Sequence, residues 1–368
     1  MDPLTQGTLG AALPQATAGR ARMGLATLAG FAGGMAPDLD VLIRSSEDPL
    51  LFLEYHRQFT HSLVFIPVGA AVVAALLWAG WGGRRGWAPR QIYGFCLLGY
   101  ATHALLDGCT TYGTQLLWPF SDQRFAWNTV SIIDPLLSLP LLTCVAVARF
   151  SGRAVFARIG LAWVLAYLTL GLLARDRAQE EGLRLALARG HAPERVDAKP
   201  SFANLLVWKL IYRDGDYYYV DALRLGAAPC IYRGERVAAL DLGRDFPGLD
   251  AHSQQARDVE RFRWFSMGYL AADPAHPQRI MDLRYSLLPN EIRPLWSIEV
   301  DTQAGGRRHV AYRTHRSGRE GALRRLGLML RGEPLPAEGT PTGPGGGRQA
   351  AACQLASAAS SAAPVSTL

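Results

Sequence analysis

Six side chains of the types that ligate metal ions lie at the ends or inside of long apolar stretches. They are Asp38, Asp40, His56, His61, His103 and Asp107. Ionisable groups in such surroundings are costly and mark functional sites. A mixed set of imidazoles and carboxylates suits Zn²⁺ or Mn²⁺ and is poor for Ca²⁺, and the lack of thiolates argues against a purely structural zinc site. Because six ligands exceed the needs of one tetrahedral ion, the pattern predicts two ions that share a carboxylate, with a metal-bound water as nucleophile.

The spacing of these residues indicates which local structure can present them. His103 and Asp107 are four residues apart, so on a helix they project from one face, one turn apart. His56 and His61 are five residues apart, which fits a loop better than a helical face. Each pair also has a purely structural interpretation. His103 and Asp107 could form a hydrogen-bonded pair inside the membrane, and His56 and His61 could be histidines of an interfacial loop.

Asp38 and Asp40 both follow Pro37, in the segment Met35-Ala36-Pro37-Asp38-Leu39-Asp40. Pro37 restricts the residue before it to extended conformations, and two residues that are two positions apart share a face only in an extended backbone. We therefore expect a locally extended segment here. A helix N-cap or a turn is the competing interpretation.

Three further residues of the same regions are candidates for binding a substrate: Arg57, Thr60 and Arg124. The two arginines could neutralise a substrate phosphate, since a guanidinium forms paired hydrogen bonds with phosphate oxygens.

The elements that must position these residues are predicted to be membrane spans. The chain has 368 residues, of which 49% are hydrophobic and 19% charged, and the apolar excess lies before about residue 175. A helix needs roughly 20 apolar residues to cross a bilayer. The candidate spans are Ser62 to Trp81, Gln91 to Leu106, Ile133 to Ala148, Phe156 to Ala174, the shorter Met23 to Ala36 and, weakest, Leu4 to Ala18.

The arginines predict the orientation of these spans, because short basic loops stay in the cytoplasm. Every second loop is basic, through Arg20, Arg22, Arg84, Arg85, Arg90, Arg149, Arg153 and Arg158. This pattern places residues 38–61 and 107–131 on the outer face of the membrane, and the chain after residue 174 outside the cytoplasm as well. The six candidate ligands then lie near one membrane face.

Residues 176–331 have the composition of a soluble domain and predict a small α+β fold with an antiparallel sheet. Residues 176–190 resemble an amphipathic helix, and Asp214-Gly215 between two β-rich runs is a strong hairpin signal. The predicted strands are Leu205 to Tyr212, Tyr217 to Leu225, Arg279 to Leu287, Leu295 to Val300 and His309 to Thr314, and the predicted helix is Asp258 to Leu270.

The predicted organisation is therefore an α-helical multi-span membrane domain at residues 1–175, the α+β domain at residues 176–331 outside the cytoplasm, and a tail at residues 332–368. The tail is rich in Gly, Pro, Ala and Ser, so it has too few apolar side chains to fold and is expected to be disordered. The net charge of +7 is spread along the chain, which argues against a nucleic-acid partner. The five cysteines form no CxxC pair, so they encode no zinc ribbon or thioredoxin-type site.

The motifs together resemble the membrane-bound, predicted metal-dependent hydrolases of the YdjM type, whose longer members include YfhP-like inner-membrane proteins. The matching pieces cover roughly residues 1–150 and are Met1 to Thr5, Pro37 to Asp40, His56 to Ser62, Thr102-His103 with Leu106-Asp107, and Tyr112-Gly113-Thr114 to Trp118-Pro119-Phe120. The family usually has a histidine where this chain has Gln6, so one ligand is absent. The family also looks distantly related to zinc-dependent phospholipase C and to S1/P1 nuclease, which implies phosphodiester hydrolysis.

Two classes of function follow from these observations. The first is a metal-dependent hydrolase of the cytoplasmic (inner) membrane that acts on a lipid or lipid-linked phosphoester, with membrane lipids as its surroundings. The second is a non-enzymatic protein, either a transporter or a structural membrane protein, that binds cations through the His/Asp cluster. Ligands gathered at one face favour the hydrolase, because a permeation pathway would distribute them through the depth of the membrane.

Overall fold

The computed structural model describes residues 1–336 and 354–355. The chain forms two compact units, one of Met1–Leu172 with Phe202–Asn204 and the other of Leu173–Ser201 with Leu205–Leu368. Most of the tail predicted to be disordered, residues 337–353 and 356–368, lies outside the described residues.

The first unit is helical, as predicted. Its α-helices are α1 (Pro3–Thr17), α2 (Met23–Met35), α3 (Leu51–Tyr55), α4 (Ile66–Leu77), α5 (Pro89–Gly108), α6 (Pro135–Ser151) and the first half of α7 (Ala154–Ala188). Short 3-10 helices at Arg20–Arg22, Ala36–Leu42, Phe59–His61 and Leu63–Phe65 and a π-helical turn at Trp78–Gly82 connect or extend them. The Asp2 carboxylate starts α1 by accepting a hydrogen bond from Thr5 N, which satisfies one of the free donors of the helix end.

Glycines let α2 pack closely against both α1 and α5. A Cβ atom added at Gly99 of α5 would lie 2.2 Å from the Gly30 carbonyl oxygen of α2, and one added at Gly10 of α1 would lie 2.5 Å from the same oxygen. Only a residue without a side chain allows backbones to approach this closely. The contact holds α1, α2 and α5 together. Helix α5 bears His103 and Asp107, and the segment that follows α2 bears Asp38 and Asp40.

Two helical segments are long and apolar enough to cross a membrane, Leu63–Gly82 and Ala154–Ala188. The first agrees with the span predicted from Ser62. The second joins the span predicted to end at Ala174 with the amphipathic helix predicted at residues 176–190, because no proline interrupts its 35 residues. The prediction of two separate helices is therefore wrong. Within the described residues, the other apolar helices are not both long and apolar enough to cross a membrane; they are α1, α2, α5 and α6. The multi-span arrangement therefore stays a prediction.

The second unit contains two antiparallel sheets rather than the single sheet predicted. The strand orders are β1-β2-β3-β4-β9 and β5-β6-β7-β8. The strands are β1 (Val196–Pro200), β2 (Val207–Asp214), β3 (Tyr217–Arg224), β4 (Cys230–Ala238), β5 (Leu270–Asp273), β6 (His276–Asp282), β7 (Trp296–Glu299), β8 (Ala311–Thr314) and β9 (Gln354–Leu355). The helices are α8 (Leu242–Asp245), α9 (Gln254–Phe265) and α10 (Arg319–Arg331).

The hairpin predicted at Asp214-Gly215 joins β2 and β3, with Asp214 opposite Tyr217. The sequence patterns missed β1, β4, β5 and β9. Asp197 and Lys199 interrupt the apolar pattern of β1, and β4 contains the polar run Arg233-Gly-Glu-Arg236. Helix α9 begins four residues before its predicted start, because the Ser253 hydroxyl accepts a hydrogen bond from Ala256 N.

Candidate metal centre

The six predicted ligands lie together in the first unit, on four different segments. Asp38 and Asp40 belong to the 3-10 helix Ala36–Leu42, so the expected extended backbone is wrong. His56 follows α3 and His61 ends a short 3-10 helix. His103 and Asp107 lie one turn apart on α5, as their spacing predicted, and both are fully buried.

Four side chains form the core of this cluster: Asp38, His61, His103 and Asp107. Each offers one ligand atom, and these atoms lie within 4.8 Å of one another. The separations are 2.9 Å between the two Nε2 atoms, 3.6 and 3.4 Å from these nitrogens to Asp38 Oδ1, and 3.2 and 3.5 Å to Asp107 Oδ2. We call these four residues the core group.

The separations within the core group match those expected around one metal ion. Zinc binds imidazole nitrogens and carboxylate oxygens at roughly 2.0–2.2 Å, so two ligands of a tetrahedral ion lie about 3.4 Å apart. The observed values of 2.9 to 3.6 Å are close to that figure. The donor set and its size therefore fit a single divalent ion.

Outer contacts orient both imidazoles toward the centre. His103 Nδ1 lies 2.5 Å from the Gly34 carbonyl oxygen, and His61 Nδ1 lies 2.9 Å from Thr60 Oγ1 and 3.2 Å from Asp40 Oδ2. In each ring Nδ1–H donates on this outer side, which directs the two Nε2 atoms toward each other. Two imidazole nitrogens and two carboxylate oxygens then converge on one point, an arrangement that a proton or a metal ion stabilises.

The electrostatics of His61 reflect the same convergence. Burial would lower the pKa of His61, but hydrogen bonds with Asp107, Asp38 and Asp40 outweigh it and raise the pKa to about 10. The three carboxylates around His61 thus favour its protonated, cationic form, and the same carboxylates would favour a bound metal ion.

A second group of metal-capable side chains overlaps the first through Asp38, and it also contains Asp40 and His56. Asp40 Oδ1 lies 2.6 Å from His56 Nδ1. Asp40 Oδ2 accepts hydrogen bonds from Arg57 N at 2.9 Å and Thr60 Oγ1 at 2.8 Å. The hydroxyl of Thr60, which was predicted to bind substrate, thus donates a hydrogen bond to Asp40.

The two predicted phosphate-binding arginines contact the same aromatic ring beside the cluster. The guanidinium carbons of Arg57 and Arg124 lie 4.7 and 5.4 Å from the Tyr112 ring centroid. Arg57 Nε also lies 3.0 Å from Asp107 Oδ2, and its Nη1 donates to Thr110 Oγ1 at 2.8 Å. The backbone of Arg57 has a φ of 64°, a conformation that non-glycine residues seldom adopt and that occurs at functional sites.

Gln6 occupies the position where a histidine ligand was expected from the resemblance. Its Nε2 donates to Asp107 Oδ1 at 2.8 Å and to the His103 carbonyl oxygen at 3.3 Å. Its Oε1 is buried without a hydrogen-bond partner. The Met1 amino group also contacts Asp107 Oδ1. The roles of Thr110 and the Gly34 carbonyl had no signal in the sequence, because each depends on tertiary packing. Tyr112 belongs to one of the motifs of the resemblance, but the sequence assigned it no role.

Comparisons with known proteins agree with the resemblance found in the sequence. Residues 1–178 match the family model described as YdjM inner membrane protein. The inner membrane protein YbcI of Escherichia coli K12 is 31% identical over 151 residues, which cover 39% of this chain and 80% of YbcI. The uncharacterized protein YfhP of Bacillus subtilis strain 168 is 26% identical over 124 residues, which are 33% of this chain and 36% of YfhP. No solved structure matches the chain.

Proposed function

We propose that this chain, which belongs to the YdjM inner membrane protein family, is a membrane-bound metal-dependent hydrolase of phosphoesters. The observation that carries the proposal is the core group, in which two imidazole nitrogens and two carboxylate oxygens converge at the separations of a tetrahedral metal site. Conformational restraint by Gly34, Thr60 and Asp40 presents these atoms before any ion binds.

The donor set favours zinc, with manganese as the second choice. Two nitrogen and two oxygen ligands suit Zn²⁺, whereas Ca²⁺ takes six to eight oxygens. A bound ion of this type polarises a phosphoryl oxygen and lowers the pKa of water that it binds. His61 and His103 are both fully buried, so the chain also excludes bulk water from one side of the centre.

The surroundings of the core group support a phosphate-bearing, lipid-linked substrate. Arg57 and Arg124 are both buried beside it and supply the positive charge that a phosphate requires. Large apolar side chains on the neighbouring segments are exposed, with Leu39 at 64%, Leu42 at 75% and Phe120 at 83%. Exposed apolar groups at the mouth of an anion site fit an amphiphile whose phosphate lies at the centre and whose chain lies in the membrane.

We place the centre and the second unit at the outer side of the inner membrane. The alternation of basic loops supports this orientation. A reporter that is active only in the cytoplasm, fused after residue 331, should give little signal, and a strong signal there would contradict the placement.

The test of the proposed function uses purified full-length protein in detergent. Bis-p-nitrophenyl phosphate and a short-chain phospholipid serve as substrates, before and after removal of metal with a chelator. We expect hydrolysis that disappears with the metal and returns with Zn²⁺ or Mn²⁺, and that is faster on the phospholipid. Arg124→Gln should raise KM for both substrates, whereas Arg236→Gln, an exposed arginine of the second unit, should not.

A cation-binding protein without enzymatic activity is the second candidate. The observation that favours it is the presence of four protein ligands in one group, since sites with four protein ligands are commonly structural. Stoichiometric metal without hydrolysis of either substrate would support this candidate against the hydrolase.

A further inference from the structure

Asp40 and His56 form a close pair at the edge of the core group. His56 Nδ1 lies 2.6 Å from Asp40 Oδ1, and the His56 and His61 rings are 6.0 Å apart in an edge-to-face arrangement. The pair can be explained in two ways. Either both residues ligate a second ion that shares Asp38, or they act on the reaction without touching a metal.

The distance between His56 Nδ1 and Asp40 Oδ1 argues against the binding of one ion by these two atoms together. Two ligands of one tetrahedral zinc ion lie about 3.4 Å apart, and the core group has separations of 2.9 to 3.6 Å. The 2.6 Å between His56 and Asp40 is shorter than any of them. It is the length of a charge-assisted hydrogen bond, in which Nδ1–H donates to the carboxylate.

The hydrogen bonds of Asp40 also argue against a role as a metal ligand. Its Oδ1 accepts from His56, and its Oδ2 accepts from Arg57 N and Thr60 Oγ1, with His61 Nδ1 3.2 Å away. A carboxylate oxygen that accepts two hydrogen bonds uses both of its lone pairs and has none left for a metal ion. Asp40 is therefore built to orient two imidazoles rather than to bind an ion.

The partial exposure of His56 allows its side chain to contact a substrate. Its side chain is 17% exposed, whereas those of His61 and His103 are fully buried. Asp38, the other partly exposed member of the cluster, is 16% exposed. The open side of the centre is thus the side where His56 and Asp38 lie. Because Nδ1 of His56 is held by Asp40, Nε2 is the nitrogen free to exchange a proton.

We propose that Asp40 and His56 form a proton-transfer dyad beside a single metal ion, with His56 as the catalytic residue and Asp40 as its positioning residue. The inference rests on the proposed function. In phosphodiester hydrolysis, the water oxygen bonds to phosphorus while its proton passes to His56 Nε2. The ester P–O bond breaks, its electron pair leaves with the ester oxygen, and the proton on Nε2 passes to that oxygen. One ester and one water thus give an alcohol and a phosphomonoester.

The test compares metal content with hydrolysis in the same preparations. In His56→Ala and His56→Gln, the full-length protein should keep the metal content of the wild type, while kcat on bis-p-nitrophenyl phosphate falls about 10²- to 10⁴-fold, the usual contribution of a general acid or base. Free imidazole in the buffer should restore part of the activity of His56→Ala. His61→Ala is the matched variant, and it should lose both metal and activity.

The outcomes separate this inference from the proposed function. Loss of a metal equivalent from both His56 variants, or two equivalents in the wild type of which these variants keep one, would show that His56 is a ligand and overturn the dyad. Full activity in the His56 variants would also overturn it. Absence of hydrolysis by metal-loaded wild type would instead overturn the proposed function, and the proton role with it.

Discussion

Both units of the molecule bury charged side chains, but they arrange them differently. In the first unit, the nitrogen and oxygen atoms of the core group face one another at 2.9 to 3.6 Å. In the second unit, Asp282 and Arg284 are also fully buried, yet they form a direct pair at 2.7 Å, and Trp296 Nε1 donates to the same carboxylate. The charges of Asp282 and Arg284 thus balance each other directly.

The difference teaches that burial of charge does not by itself indicate a site. Lys199 and Lys209 are the only lysines of the chain, and they lie opposite each other on β1 and β2. Lys199 is 3.5 Å from Asp197, and Lys209 donates to Ser286 Oγ and to the Glu291 carbonyl oxygen. Among the described residues, groups that could hold a metal occur only in the first unit. Convergence of two imidazole nitrogens and two carboxylate oxygens, rather than burial, distinguishes that unit.

The largest expected effect comes from removing one converging oxygen. Asp107→Asn replaces a charged ligand with a neutral amide, so we expect metal content to fall to less than about a tenth and hydrolysis to be lost. Asp134→Asn is the matched control, because Asp134 is equally buried but caps α6 and accepts a hydrogen bond from Tyr167. Equal metal loss in both variants would show that Asp107 acts only through folding.

The next effect tests the paired charges of the second unit. Arg284→Met leaves the buried Asp282 carboxylate without its cation, which should cost about 3–5 kcal/mol of local stability. Hydrogen exchange of the β6 and β7 peptides in the full-length protein measures this cost. Arg313→Met removes an exposed pair with Glu299 and should cost at most about 1 kcal/mol. Metal content should stay unchanged in both, and metal loss in Arg284→Met would contradict the separation of the two regions.

A smaller effect is expected at Gln6, which orients Asp107 through its amide hydrogen bond. Gln6→Leu removes that bond and should weaken metal affinity by about 10- to 100-fold, as for other outer partners of metal ligands. Gln15→Leu, equally buried on the same helix, should leave the affinity near that of the wild type. Gln6→His should raise the affinity, since it places an imidazole beside Asp107. Competition with a metallochromic indicator measures all three, and equal affinities for Gln6→Leu and Gln15→Leu would refute the orienting role.

The smallest effect is a pH dependence of the second unit. Burial lowers the pKa of Lys209 from its ordinary value of 10.5 to about 7. Between these values the unfolded chain binds a proton that the folded chain does not, so stability should rise with pH, by up to about 1.4 kcal/mol per unit, and fall as the pH drops toward 7. Urea midpoints at pH 7, 8 and 9 measure the slope. Lys209→Met should flatten it, and an unchanged slope in this variant would assign the dependence to another group.

Local patterns predicted the parts of the fold that depend on a few neighbouring residues. The helical spacing of His103 and Asp107 and the Asp214-Gly215 hairpin are such cases, and both agree with the structure. The 3-10 conformation around Asp38 and the polar strand β4 did not follow from the sequence, because packing overrode the local preference there. The six predicted ligands lie near one another in the structure, while the shared membrane face stays a prediction. The sequence did not distinguish the oxygens that face the centre from those of Asp40, which orient histidines.

The most direct test of the metal centre is the metal content of purified full-length protein, measured by mass spectrometry of the elements after gel filtration in buffer without chelator. We predict one equivalent of zinc or manganese per chain in the wild type, the same value in Cys96→Ala, which alters a buried residue of the same helix outside the cluster, and at least a tenfold reduction in His103→Ala. Wild-type protein without a stoichiometric divalent ion, or His103→Ala protein that keeps its ion, would contradict the assignment of the core group as a metal centre.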